Sequence, residues 1–235
     1  MFQNITPITK NIIILNVIVF ILAMLIPQSY QYLAAFFPTS PYFKSWQIIT
    51  HMFMHGGFMH IAFNMLTFAS FGPVLERFLG EKKFVILYFL SGLGAFALFN
   101  LWEYYQLYQD AQPLIVEGLQ FSDILKGDFQ KFPVRLEGNA QNIVNILSTP
   151  MVGASGAIFG VIAAFSLLYP NAEMFIMFIP LPIKAKVLFP ISIIVSLYLG
   201  FSGSGGNIAH FAHIGGALVG YILVKVWGRN RYRIN

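Results

Sequence analysis

The sequence predicts an all-α polytopic membrane fold, and three observations carry that prediction. Of 235 residues, 57% are hydrophobic and only 10% are charged, against about 25% charged in a soluble domain; mean hydropathy is +0.69. Six apolar runs are long enough to cross, or nearly cross, a hydrocarbon core of about 30 Å. Basic residues gather in short loops beside these runs, the pattern that orients membrane helices rather than one that binds nucleic acid.

The first span, about 11–27, follows Lys10 and lacks a small-residue cleavage site, so no cleavable signal is expected. The second, about 57–76, carries His60 and Asn64, and the third, about 84–106, follows Lys82 and Lys83. The fourth, about 155–170, opens on Gly153-Ala154-Ser155-Gly156 and closes at Tyr169-Pro170. Before it, residues 107–152 are polar and mixed in charge, and read as an extracytoplasmic loop that is either functional or poorly specified. Within that loop, Asn139 to Ile146 has the pattern of a short amphipathic helix at the membrane surface. Met174 to Ile183 is apolar but broken by Pro180 and Pro182, which suits a folded connection better than a seventh span. The fifth span, about 186–202, and the sixth, about 207–227, complete a single membrane domain over 1–235.

Six spans put both termini on one side. Lys10, Arg77, Lys82, Lys83, Lys184, Lys186, Lys225, Arg229, Arg231 and Arg233 fall there, ten of the fourteen basic residues. Both termini are therefore expected in the cytoplasm. Lys44, Lys126, Lys131 and Arg135 face the other way, beside six acids in 103–137. Cysteine is absent, which excludes disulfides, thiolate metal sites and a cysteine nucleophile.

Helical rise converts sequence position into depth. Counted from the cytoplasmic ends of their spans, Ser155 stands at about 22 Å, His213 at about 21 Å, His60 at about 24 Å and Asn64 at about 18 Å. Four polar side chains from three spans thus share one level, submerged but nearer the outer face. The three spans run in the same direction. Ser155 lies at the start of its helix, where unpaired N–H groups and the positive dipole end favour a developing oxyanion.

Each element has a bland reading beside the sharp one. Gly156-x-x-x-Gly160 and Gly216-x-x-x-Gly220 are spacings that let membrane helices approach closely. That same closeness can bring Ser155 and His213 into hydrogen-bonding range, as a nucleophile and its base. His60 and Asn64, four apart on one helical face, suit either a polar bridge between helices or the donors of an oxyanion hole. Phe159, one turn below Ser155, can stack on the His213 ring or serve as plain packing. His51, His55 and His210 read as water-facing or structural. No His-Glu-x-x-His, cysteine or carboxylate at ligand spacing supports a metal, and no cofactor is expected. No acid in the spans is placed to complete a triad, so a dyad is the expected unit.

These residues resemble the rhomboid family of intramembrane serine proteases. His55-Gly56-Gly57-x-x-His60-x-x-x-Asn64, Gly72-Pro73-x-x-Glu76-Arg77-x-x-Gly80, Gly153-Ala154-Ser155-Gly156 and Ala212-His213-x-Gly215-Gly216 occur in the family's order, over roughly 45–100 and 150–228. The resemblance implies a bacterial-type six-span bundle in the plasma membrane, with its site opening to the extracytoplasmic side. By that resemblance Ser155 is the nucleophile, His213 the general base, and His60, Asn64 and nearby backbone N–H groups form the oxyanion hole, with Gly153 and Phe159 in support. It implies that the connection between spans one and two lies partly in the membrane, and that span five with its following loop gates lateral entry. The implied partners are the lipid bilayer and single-span membrane protein substrates, with no nucleic acid and no metal; the oligomeric state stays open. The 107–152 loop departs from the minimal pattern. A catalytically silent relative that binds membrane clients, and a small transporter using the histidines, are the rival readings. The second would need a polar track through the cytoplasmic halves of spans four and six, and none is present.

Overall fold

The computed structural model describes residues 5–132, 138–176, 179–202 and 209–229. Arg135, Glu137, Arg231 and Arg233, used in the charge argument, and Asn207 at the expected start of the sixth span lie outside them. Among the described residues, five helices are long and apolar enough to cross a membrane. They are α1 (Pro7–Leu25), α4 (Phe58–Leu79), α5 (Glu81–Val116), α9 (Ala185–Ser202) and α10 (His210–Arg229). The expected fourth span is α8 (Ser155–Leu168), only 14 residues long. At about 21 Å, it falls short of the hydrocarbon thickness, so its first turn lies within the membrane. Short helices α2 (Ser29–Leu33) and α3 (Gln47–Thr50) lie in the connector from α1 to α4.

Small residues decide how α5, α8 and α10 meet. A Cβ on Gly216 would strike the carbonyl of Gly156, and one on Gly220 the backbone of Gly160. Likewise a Cβ on Gly160 would strike Ser91, and one on Gly215 the carbonyl of Gly94. The two glycine spacings of the sequence therefore mesh with each other, and α5 closes the triangle. Outside it, Phe68, Leu75, Phe84, Leu87 and Tyr88 fill the interface of α4 with α5.

Glu76 fixes α1 to this unit. Its carboxylate accepts the N–H groups of Ile8 and Thr9, at 2.9 and 2.8 Å, and the Thr9 hydroxyl at 2.8 Å. It thereby caps the first turn of α1 from another helix, where free N–H groups and the dipole favour a negative charge. Gly72, one turn earlier, leaves room for Thr9; a Cβ there would lie 2.8 Å from it.

The helix of the third span continues beyond 106: α5 runs on to Val116, because Leu107, Ala111 and Leu114 present an apolar face at helical spacing. Exposed Tyr104, Tyr105 and Tyr108 mark where α5 leaves the hydrocarbon. The described parts of 107–152 are folded rather than poorly specified. The end of α5, α6 (Phe121–Lys126) and α7 (Asn139–Ser148) share a core of Leu107, Leu114, Ile124, Phe132, Ile143 and Leu147, into which Phe37 of the connector inserts. The amphipathic stretch from Asn139 is thus a helix packed on protein. The apolar segment after α8 folds as an antiparallel hairpin of β1 (Glu173–Ile176) and β2 (Ile179–Lys184).

Candidate active site

The chain reaches Ser155 through a glycine that nothing else could replace cheaply. Gly153 has φ +123°, and a Cβ there would lie 2.9 Å from Nε2 of His60. Its N–H donates to the carbonyl of His51 at 3.0 Å. Ala154 then caps α8, and Ser155 is the first helical residue. Its side chain sits beside the unpaired N–H groups of the first turn.

Ser155 Oγ lies 2.9 Å from Nε2 of His213. With that nitrogen unprotonated, the hydroxyl donates to it. The His213 ring stacks on Phe159, one turn below Ser155, with centroids 4.2 Å apart and planes within 3°. The imidazole is thus held flat against α8 while its edge faces the serine. His210 meets it edge-on at 6.2 Å.

His60 stands on the other side of Ser155, its ring against Gly153. Gly56 N–H donates to its Nδ1 over a long 3.4 Å, which favours a proton on Nε2, the nitrogen facing Gly153. Asn64 shares that helical face and is only 7% exposed, and its Nδ2 has no hydrogen-bond partner among the described residues. A buried amide donor left unpaired is costly unless something arrives to accept from it. Ser155, His213, His60, Gly153 and Phe159 are thus joined by direct contacts, and Asn64 joins them through the face of α4.

The remaining histidines are not water-facing. His51, His55 and His210 are all buried. Burial, and then the neighbouring His60, hold the pKa of His55 at about 4, so its ring is neutral near pH 7. It packs edge-on against His60, with centroids 5.0 Å apart. Sequence reasoning also overlooked the connector: the His51 carbonyl, and a backbone bridge between Ala35 and Met151, both hold the approach to Ser155. Backbone contacts of that kind leave no mark on residue choice.

Comparison with known proteins agrees in where it falls. The Rhomboid domain family model matches residues 42–119 and 124–230. The chain is 30% identical over 175 residues to "Rhomboid protein 1, mitochondrial" of Saccharomyces cerevisiae, covering 74% of this chain and 40% of that one. It is 27% identical over 187 residues to "Rhomboid protease GluP" of Bacillus subtilis, covering 78% and 26%. It is 28% identical over 182 residues to "Rhomboid protease AarA" of Providencia stuartii, covering 76% and 54%. The chain therefore spans only part of the length of these relatives. The first matched block holds His60 and Asn64, the second holds Ser155 and His213, and the helical bundle brings the two blocks to one place: this chain belongs to the rhomboid family.

Proposed function

We propose that the protein is an intramembrane serine endopeptidase acting through a dyad of Ser155 and His213. The observation that carries this reading is the 2.9 Å approach of Ser155 Oγ to His213 Nε2 at the first turn of α8. Ser155 Oγ attacks the scissile carbonyl while His213 Nε2 takes its proton. The tetrahedral oxyanion accepts hydrogen bonds from His60, from Asn64 and from backbone N–H groups at the start of α8. Collapse expels the amine, which takes the proton from His213 and leaves an acyl-enzyme. Water then attacks the acyl carbonyl, again giving a proton to His213, and collapse returns that proton to Ser155 Oγ as the acid product leaves. Asn64 Nδ2, buried and without a hydrogen-bond partner among the described residues, is an available donor for that oxyanion.

The substrates in this reading are single-span membrane proteins, cut in or beside their transmembrane segments. Residues 1–235 act as one membrane unit with both termini in the cytoplasm and the site opening to the extracytoplasmic side. A bacterial plasma membrane is the proposed setting. A fluorophosphonate, which phosphonylates activated serines with loss of fluoride, should label the parent and fail on Ser155→Ala. In liposomes carrying single-span substrates, Ser155→Ala and His213→Ala should lose cleavage by at least about 1000-fold. Equal labelling of parent and Ser155→Ala would leave only the client-binding reading.

A further inference from the structure

Residues 149–154, which lead into α8, are irregular apart from one bridge. They are nonetheless held at two points by the connector between α1 and α4, which also ties the end of α7 just before them. Ser40 Oγ donates to the Leu147 carbonyl at 2.6 Å. Met151 and Ala35 exchange two backbone hydrogen bonds, of 2.7 and 3.0 Å. Gly153 N–H donates to the His51 carbonyl. The Ser40 tie is made by a side chain, so substitution can remove it without touching the backbone.

Ser40 is 6% exposed, and its Oγ also accepts the Tyr42 N–H at 3.2 Å. Leu147 lies in the last turn of α7, where carbonyls have no partner within the helix. The Ser40 hydroxyl is therefore a cap for α7 supplied from the connector. Phe37, three residues earlier, is buried in the core shared by α5, α6 and α7. The connector thus grips the external helices with Phe37 and Ser40, and the approach to Ser155 with Ala35 and His51. Losing the hydroxyl strands a buried carbonyl and loosens the point from which 149–154 depart.

We propose that Ser40 is a positioning residue for the Ser155 site, transmitting the rigidity of the external helices to the backbone before α8. The proposal rests on the protease reading, and Ser40 has no contact with Ser155 or His213 of its own. A displacement of about 1 Å in a reacting group can cost about 100-fold in rate, so a partial loosening should be visible in turnover.

The test compares the parent with Ser40→Ala and Ser40→Cys in liposomes, with Ser155→Ala as the blank. Cysteine keeps the volume but is a weak donor. For Ser40→Ala, kcat and the rate of fluorophosphonate labelling should fall about tenfold while KM stays within about twofold. Ser40→Cys should fall between it and the parent, and also serves if the alanine variant fails to fold. Amide hydrogen exchange in 149–154 should quicken while α10 keeps its protection. Parental labelling and turnover per folded molecule, whatever the exchange, would mean a structural cap only and would overturn the proposal while leaving the protease reading intact. A parent that labels no better than Ser155→Ala would instead sink the protease reading, and this proposal with it.

Discussion

Gly153 stands one residue before the cap of α8, at φ +123° and against the His60 ring. Alanine there meets two penalties at once. A left-handed backbone costs an L-residue about 1–2 kcal/mol, and its Cβ must push His60 away from the site. The first penalty falls on stability and the second on chemistry, so they can be separated. Gly153→Ala should lower the melting temperature by only a few degrees, since about 1 kcal/mol shifts it by roughly 2–4 °C at this size. Its labelling by a fluorophosphonate should fall by about 100-fold, the usual loss when an oxyanion donor is displaced. A variant that labels like the parent would show that His60 does not serve the oxyanion. Ser155 and His213 were legible in the sequence because polar groups are expensive inside membrane helices and stand out. Gly153 was visible only as part of a tetrapeptide, and Ser40 not at all, because one serine in a loop resembles any other.

At the scale of elements, the triangle of α5, α8 and α10 is built on missing side chains. Gly216 sits three residues after His213 and faces the carbonyl of Gly156, next to Ser155. A methyl group at 216 therefore pries α10 from α8 at the level of the dyad. Gly216→Ala should cost about 1–3 kcal/mol by overpacking and should abolish labelling even in the fraction that stays folded. Gly228→Ala, whose Cβ would meet open space, is the control and should match the parent in both measurements. Should Gly216→Ala keep the parental labelling rate, the dyad would not depend on this contact. These helices were legible because apolar length and glycine spacing are local signals. The end of α5 was not: residues 107–116 mix apolar with polar groups, and only the partners α6 and α7 show which face is buried. The cap of α1 by Glu76, 3% exposed, was equally hidden, since it joins residues far apart in the chain.

For the whole molecule, the geometry fixes a common level without naming the side of the membrane. Glu76 binds the start of α1, and Phe78, Lys83, Leu168 and Trp227 line one small cavity, so the ends of α4, α8 and α10 lie together with the starts of α1 and α5. Lys83 stands over the Trp227 ring at that level. The site and the helices after Tyr108 lie toward the opposite end. The proposed orientation, read from positive charge in short loops, puts Lys82 inside and Glu117 outside. The chain has no cysteine, so single-cysteine variants report without background. In intact cells, a membrane-impermeant maleimide should label Glu117→Cys at once and Lys82→Cys only after permeabilisation. Both positions are exposed and neither touches Ser155 or His213. The reverse order would invert the molecule, put the mouth of the site in the cytoplasm, and require substrates to be cut from that side.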